Sequence, residues 1–290
     1  MQFTKMHGTG NDYIYVDCFA QSVPNQIAEL ARTISDRHRG VGADGLILIC
    51  PSDQADAEMR MFNADGTPAE MCGNGIRCVA KYVHDHGIAK KRTLQIASGG
   101  KIYRMELSTH GGLVEQVCVD MGEPILAAAL IPTTLIGLAA MAESIGPASR
   151  VVNVPLTIGG ISHEVTCVSM GNPHCVTFVE TATDALVLQA GPQIETDHHF
   201  PNRTNVEFVE LLSPREVRQR TWERGSGETE ACGTGACAVC VAGFLSGRTQ
   251  RQITVHLRGG DLQLEWNAAN NHVTMSGPAV EIFSGQWRSK

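Results

Sequence analysis

Residues 13–16 and 175–179 carry the short, β-branched and aromatic runs of strands, and each follows a glycine-containing turn, at 6–12 and 170–174. Two further apolar runs, 45–49 and 205–209, predict strands, and a strand ending at Phe62 or Trp222 leads into a loop, a cysteine and a helix. The helices are the strongest signal. After Cys72, the residues Ile76, Val79, Ala80 and Val83 keep helical spacing until Gly87. After Cys232, the run 236–245 is apolar on every side and stops at Gly247. A helix with no polar face is buried all round, so a sheet must wrap around it. Residues 94–97 with Gly99-Gly100, and 253–257 with Gly259-Gly260, close each series as a hairpin.

The same order thus occurs twice, at an offset of 160 residues without a gap: Cys72-Gly73-Asn74-Gly75 matches Cys232-Gly233-Thr234-Gly235. Arg60 meets Arg220, Phe62 meets Trp222, Glu70 meets Glu230, and Gly87 meets Gly247 at that offset. The expected architecture is a mixed α/β (α+β) fold of two pseudo-symmetric repeated domains, each a strand-rich mixed sheet around one central buried helix, with the active site in the cleft between them. Residues 1–120 form the half carrying Cys72 and 121–277 the half carrying Cys232, and the C-terminal segment 278–290 is expected to return to the first.

Composition narrows the function classes. A hydrophobic content of 43% and a charged content of 18% describe a globular protein with ample core. The net charge is −7, and no basic cluster is longer than Lys90-Lys91-Arg92, so the partner is a small molecule rather than a nucleic acid. The opening residues 1–5 lack the apolar core of a signal peptide. The apolar stretch 125–142 contains Pro132 and Gly137 and is barely long enough to span a bilayer, which predicts a linker with a short packed segment and no membrane contact. Ten cysteines without a secretion signal indicate free thiols in a reducing cytoplasm. Cys72, Cys78, Cys232, Cys237 and Cys240 raise the question of zinc, but only Cys237 and Cys240 are spaced C-x-x-C, and no metal is expected.

Each repeated cysteine sits just before the first turn of a buried helix, where free N–H groups and the helix dipole favour anions. That position is expected to lower a thiol's pKa and give thiolate at neutral pH. Most free cysteines are small buried hydrophobes, and Cys18, Cys50, Cys118 and Cys167 fit that description. Two cysteines at matched repeat positions, each followed by Gly-x-Gly, fit an opposed pair of acid/base groups better. Such a pair can take a proton from one face of a carbon and return one to the other. The glycines leave backbone N–H groups free to hold a substrate carboxylate.

Other positions stay open between two roles. Asn11 and Asn172 occupy matching Gly-Asn turns, as local caps or as substrate contacts. Glu223 and Arg224 can grip the ammonium and carboxylate of a zwitterion or form an exposed ion pair. His174 either tunes a cysteine or caps a strand. The repeat breaks at three pairs, Asn63 against Glu223, Ala64 against Arg224, and Gly45 against Asn205. A ligand gripped from one direction requires such breaks.

Taken together, Gly10-Asn11-Asp12, Asn63-x-Asp65-Gly66, Glu70-Met71-Cys72-Gly73-Asn74-Gly75-Ile76-Arg77, Gly171-Asn172-Pro173-His174 and the block from Glu223-Arg224 to Ala231-Cys232-Gly233-Thr234-Gly235 resemble diaminopimelate epimerase over essentially the whole chain. Proline racemases share the fold and the thiol pair but typically carry Cys-Gly-His-Gly at the first cysteine, where Asn74 stands here. The phenazine-biosynthesis isomerases of this fold lack the cysteine pair.

The resemblance implies a cofactor-independent isomerase that interconverts LL- and meso-2,6-diaminoheptanedioate in lysine and peptidoglycan precursor synthesis. It implies Cys72 and Cys232 as the acid/base groups, and Asn11, Asn63, Asn172, Asn205, Glu223 and Arg224 as substrate-binding side chains. Gly73, Asn74, Gly233 and Thr234 would add main-chain contacts, and His174 and Glu223 would influence cysteine protonation. Members of the family commonly form homodimers. One departure stands out: many members carry glutamine where this chain has Gly45. The alternatives are a proline or hydroxyproline racemase with the same thiols, and a zinc-holding binding protein.

Overall fold

The strand Gly45–Cys50 is buried at all six positions, so both of its faces are covered. The computed structural model describes residues 1–69, 71–135 and 149–288. The chain divides into two compact units, Met1–Asp120 with Ser276–Lys290, and Met121–Met275.

In the first unit, Val280–Gln286 pairs antiparallel with Gln2–Gly8, which pairs antiparallel with Asn11–Asp17. Asn11–Asp17 then runs parallel to Gly45–Cys50, and Gly45–Cys50 antiparallel to Ala57–Asn63. A short parallel contact from Ala57–Asn63 reaches Thr93–Ser98, which continues antiparallel through Lys101–His110 to Leu113–Asp120. The second unit repeats the plan. Val154–Ile158 and Ile161–Ser169 are antiparallel, as are Ile161–Ser169 and Pro173–Val179. Pro173–Val179 is parallel to Asn205–Ser213, which is antiparallel to Glu216–Glu223. Glu216–Glu223 runs parallel to Gln252–Leu257, which turns back into Gly260–Trp266.

Four α-helices are described: α1 (Ile27–Ser35), α2 (Gly73–Asp85), α3 (Asp184–Glu195) and α4 (Gly233–Leu245). Helix α2 touches six strands of its unit and α4 touches five. Ten of the thirteen α4 residues are buried, as its uniformly apolar sequence requires. Gly87 and Gly247 follow α2 and α4 with φ of 79° and 73°, a left-handed conformation that ends a helix at little cost in glycine.

Each unit has a second helix besides the central one that the sequence predicts. Helix α1 covers the other face of the first sheet, where Ala31 and Ile34 pack with Ile14, Val16, Leu46, Leu48 and Cys50. Helix α3 does the same in the second unit, with Val187, Ala190 and Ile194 against Val206 and Phe208. Its sequence hides it, because Pro192 lies inside the helix and signals a break. Of the apolar stretch 125–142, residues 136–142 lie outside the described residues. Ile131 and Leu135 pack in the core of the second unit, and Ile125 bridges to Ser169. Among the described residues no helix is long and apolar enough to cross a membrane.

Candidate active site

Cys72 and Cys232 are the N-caps of α2 and α4, both with extended backbone, and each sulfur accepts a hydrogen bond from the N–H of the glycine three residues on, at 3.4 Å. Sulfur is an unusual cap, since Ser, Thr, Asn and Asp satisfy a helix N-terminus better. The chain gives up capping strength at the same place twice. The second glycine of each motif is needed for close approach. A Cβ on Gly75 would lie 2.7 Å from Ile47 Cδ1, and one on Gly235 would lie 2.7 Å from Glu207 Oε1 and 3.2 Å from the Cys232 sulfur.

In the first unit the Cys72 sulfur lies 3.3 Å from Asn11 Oδ1. Asn11 Nδ2 donates to Asp44 Oδ2 at 2.5 Å, and Asp44 also accepts from the Asp12 N–H at 3.0 Å. Arg37 bridges Asp12 and Asp44 at 2.7 and 2.9 Å. Burial and the nearby Asp12 charge push the Asp44 carboxyl up, whereas Arg37 and Lys5 hold Asp12 below its usual value despite its own burial. Tyr13 beside them has its hydroxyl pushed far up by burial and by Cys72, so it is neutral at any ordinary pH.

Behind the Cys72 loop lies Arg77, which has no exposed surface. Its guanidinium donates to the Gly73 carbonyl at 3.2 Å, Asn74 Oδ1 at 2.9 Å, Thr9 Oγ1 at 2.7 Å and the Pro278 carbonyl at 3.2 Å. It therefore braces the backbone of Gly73 and the side chain of Asn74. Asn63 is half-buried and donates to Thr67 Oγ1 at 3.0 Å, opposite Gly45 in the strand register. A Cβ at Gly45 would sit 2.2 Å from the Phe62 carbonyl oxygen, which accounts for the glycine at this position.

The second unit gathers the remaining candidates more tightly. Asn172 Nδ2 donates to Thr234 Oγ1 at 3.3 Å, and Thr234 Oγ1 lies 3.5 Å from the Cys232 sulfur. Asn172 Oδ1 meets His174 Nε2 at 3.1 Å, and His174 Nδ1 meets Glu207 Oε1 at 2.8 Å. His174 and Glu207 both have 0% exposure. The Asn205 amide is engaged by backbone on both sides, donating to the Pro173 carbonyl at 2.8 Å and accepting from the Arg224 N–H at 2.9 Å. Arg224 is exposed, and its guanidinium donates to the Asn202 carbonyl at 3.2 Å. Glu223 is half-buried and accepts from the Thr229 hydroxyl.

Cys232 departs from the lowered pKa expected of a helix start. Burial pushes its thiol well above the ordinary value, helped by the Glu223 and Glu207 carboxylates, and the bonds from Thr234 and Gly235 do not offset this. The magnitudes agree with that order. A helix terminus stabilises a charge by about 0.3–2 kcal/mol, whereas full burial shifts a pKa by up to roughly 3–5 units.

Two clusters among the described residues bring three metal-type donors within 4.8 Å of one another: His174, Glu207 and Cys232, and Asp197, His198 and His199. In the first, both ring nitrogens of His174 are already bonded, to Glu207 and Asn172. The C-x-x-C pair contributes to neither, because Cys237 and Cys240 are buried in the core around α4. All ten cysteines are free thiols.

A sequence model of the diaminopimelate epimerase family matches residues 3–127 and 166–282. The chain belongs to the diaminopimelate epimerase family. It is 50% identical over 287 residues to the diaminopimelate epimerase of Moorella thermoacetica, and 52% identical over 289 residues to that of Pelotomaculum thermopropionicum, covering 99% of every chain in both comparisons. Among solved structures, a probable proline racemase from Agrobacterium radiobacter superposes with a TM-score of 0.70 at 16% identity, covering 100% of this chain and 93% of that one. A phenazine biosynthesis protein of the PhzF family from Bacillus anthracis gives 0.68 at 14% identity, covering 98% of both. These two likenesses are of fold.

Two residues of the candidate site carry no motif in the sequence. Glu207 sits in a run read as apolar, yet it meets Ile47 at the repeat offset, a break of the kind that marked Asn63 and Glu223. Glu195, at the end of α3, accepts from Trp222 Nε1 at 2.8 Å and from the Gly225 N–H at 3.0 Å. It thereby pins the turn that carries Glu223 and Arg224. No local pattern marks it.

Proposed function

We propose that the protein interconverts LL- and meso-2,6-diaminoheptanedioate in the cytoplasm, with Cys72 and Cys232 as acid and base on opposite faces of one α-carbon. The observation that carries this function is the repeated cysteine N-cap, within a family membership that spans almost the whole chain. One cysteine is a thiolate and the other a thiol at rest. The thiolate takes the α-proton, the opposite thiol delivers its own to the other face, and the two sulfurs exchange states while the total charge is unchanged.

General acid–base transfer contributes about 10²- to 10⁴-fold, and an amino-acid α-proton is far less acidic than a thiol. The remaining acceleration is assigned to the N-termini of α2 and α4, which face charge developing on the substrate carboxylate, and to exclusion of water. Asn11, Asn63, Asn74, Asn172, Asn205, Thr234 and the N–H groups of Gly73 and Gly233 hold the amino acid. Glu223 and Arg224 grip its far end, a carboxylate and a guanidinium for a zwitterion. No lysine falls in any motif, so the scheme uses no Schiff base.

Purified protein offered LL-diaminopimelate, L-proline and trans-4-hydroxy-L-proline in parallel tests the assignment. Epimerisation of diaminopimelate alone is expected. Turnover of either imino acid with none of diaminopimelate would replace the substrate, and turnover of none would remove the function.

A further inference from the structure

The two cysteines stand over different floors. Strand register pairs Ile47 with Met61 in the first unit and Glu207 with Thr221 in the second, and Tyr13 with Gly45 where His174 pairs with Asn205. By strand register Tyr13 corresponds to His174, and at the 160-residue offset Ile47, Met59 and Met61 correspond to Glu207, Gln219 and Thr221. Directly beneath the first turn of the helix, Gly75 rests on a methyl group of Ile47 and Gly235 on the carboxylate of Glu207 and the amide of Gln219. An apolar platform in one half is a hydrogen-bonding one in the other.

A fully buried carboxylate is costly unless positive charge or donors meet it. Glu207 Oε1 meets His174 Nδ1 at 2.8 Å, whereas Glu207 Oε2 and Gln219 Oε1 are buried without a hydrogen-bond partner among the described residues. What remains to face Glu207 is the N-terminus of α4, where its carboxylate offsets part of the positive end of the helix that a thiolate at Cys232 would use. The titratable groups around this point are His174 and Cys175 on Pro173–Val179, Glu223 on Glu216–Glu223, and Cys232 on α4 itself. Under α2 the position of Glu207 is filled by Ile47, so the same helix field is left for Cys72.

We infer that Glu207 is a positioning residue that, with His174, weakens the pull of the α4 N-terminus on a Cys232 thiolate and so keeps Cys232 as the proton-carrying partner, leaving Cys72 as the base at rest. The inference rests on the two-cysteine function proposed above, but its test does not require turnover. Ultraviolet thiolate absorbance followed against pH in Cys72→Ala protein, less that of the Cys72→Ala/Cys232→Ala double variant, reports Cys232 alone. Adding the near-isosteric Glu207→Gln should lower the Cys232 midpoint by about one pH unit or more and leave the Cys72 midpoint, measured in a Cys232→Ala background, in place. Glu207→Asp should restore part of the shift. An unmoved Cys232 midpoint, or equal movement of both cysteines, would overturn the inference.

Wild-type protein gives a second measurement that does not depend on the variants folding. The pH dependence of alkylation at each cysteine, read by peptide mass spectrometry and normalised to its own plateau, should have a lower midpoint for Cys72 than for Cys232, and the reverse order would overturn the inference. A chain that shows these midpoints but epimerises nothing would remove the function and leave the assignment of Glu207 standing.

Discussion

The Cys72 sulfur lies 3.3 Å from Asn11 Oδ1, and Asn11 is itself anchored to Asp44 at 2.5 Å. The sulfur proposed as the acid/base group of the first unit is thus placed beside an amide whose other end is fixed. Replacing Asn11 with alanine removes its contact with the Cys72 sulfur and its hydrogen bond to Asp44, each worth about 0.5–1.5 kcal/mol. The expected result is a fall in kcat of about two- to tenfold with only a small loss of Tm. Steady-state kinetics beside a thermal melt check this, and an unchanged kcat would show that Asn11 does not place the thiol.

Gly75 and Gly235 are equivalent in sequence but not in consequence. An alanine at Gly75 presses on the end of the Ile47 side chain, which can turn aside, while one at Gly235 presses on Glu207, held by His174, and on the Cys232 sulfur. Overpacking of this kind costs about 1–3 kcal/mol. Gly235→Ala is expected to lose the larger share of stability and to lower kcat more than Gly75→Ala. Equal effects from both variants would contradict the unequal floors.

Gly45 is where many family members carry glutamine. A Cβ there would meet the Phe62 carbonyl at 2.2 Å, and backbone cannot turn aside as a side chain can. Gly45→Gln is expected to destabilise by about 1–3 kcal/mol, lowering Tm without improving KM. A variant as stable as the parent would show that this strand pair opens readily.

Buried thiols predict a weakening in alkali. Burial raises Cys78 to about 11 and Cys240 to about 12, whereas an unfolded thiol titrates near about 8.5. Between those values the folded chain keeps protons that the unfolded chain has released, so stability falls as pH rises. It falls by about 1.4 kcal/mol per pH unit for each such thiol. Urea midpoints should decline between about pH 8 and about pH 10, and Cys240→Ala should have the shallower decline. A parallel decline in the variant would contradict the assignment.

Much of this was legible before any coordinates. The spacing of Ile76, Val79, Ala80 and Val83, and the unbroken apolar run after Cys232, declare two core helices, and the repeat places a cysteine at the start of each. Helix α3 was not legible, because Gly191 and Pro192 read as a break although tertiary packing carries the helix through them. Helix α1 begins at Gln26 without a side-chain cap, so it lacked a start signal. The charge state of Cys232 was beyond local pattern altogether. It depends on the burial of its sulfur and on the Glu223 and Glu207 carboxylates that the fold brings beside it, the latter 25 residues earlier in the chain.

The central claim is that two sulfurs serve one carbon, and hydrogen isotope transfer tests it most directly. In deuterated water, at low conversion, product should carry deuterium at the inverted carbon while recovered substrate retains protium, because the base takes one hydrogen and a different, solvent-equilibrated thiol supplies the other. Product that keeps its protium, or substrate that gains deuterium as fast as product, would mean that a single group works on both faces.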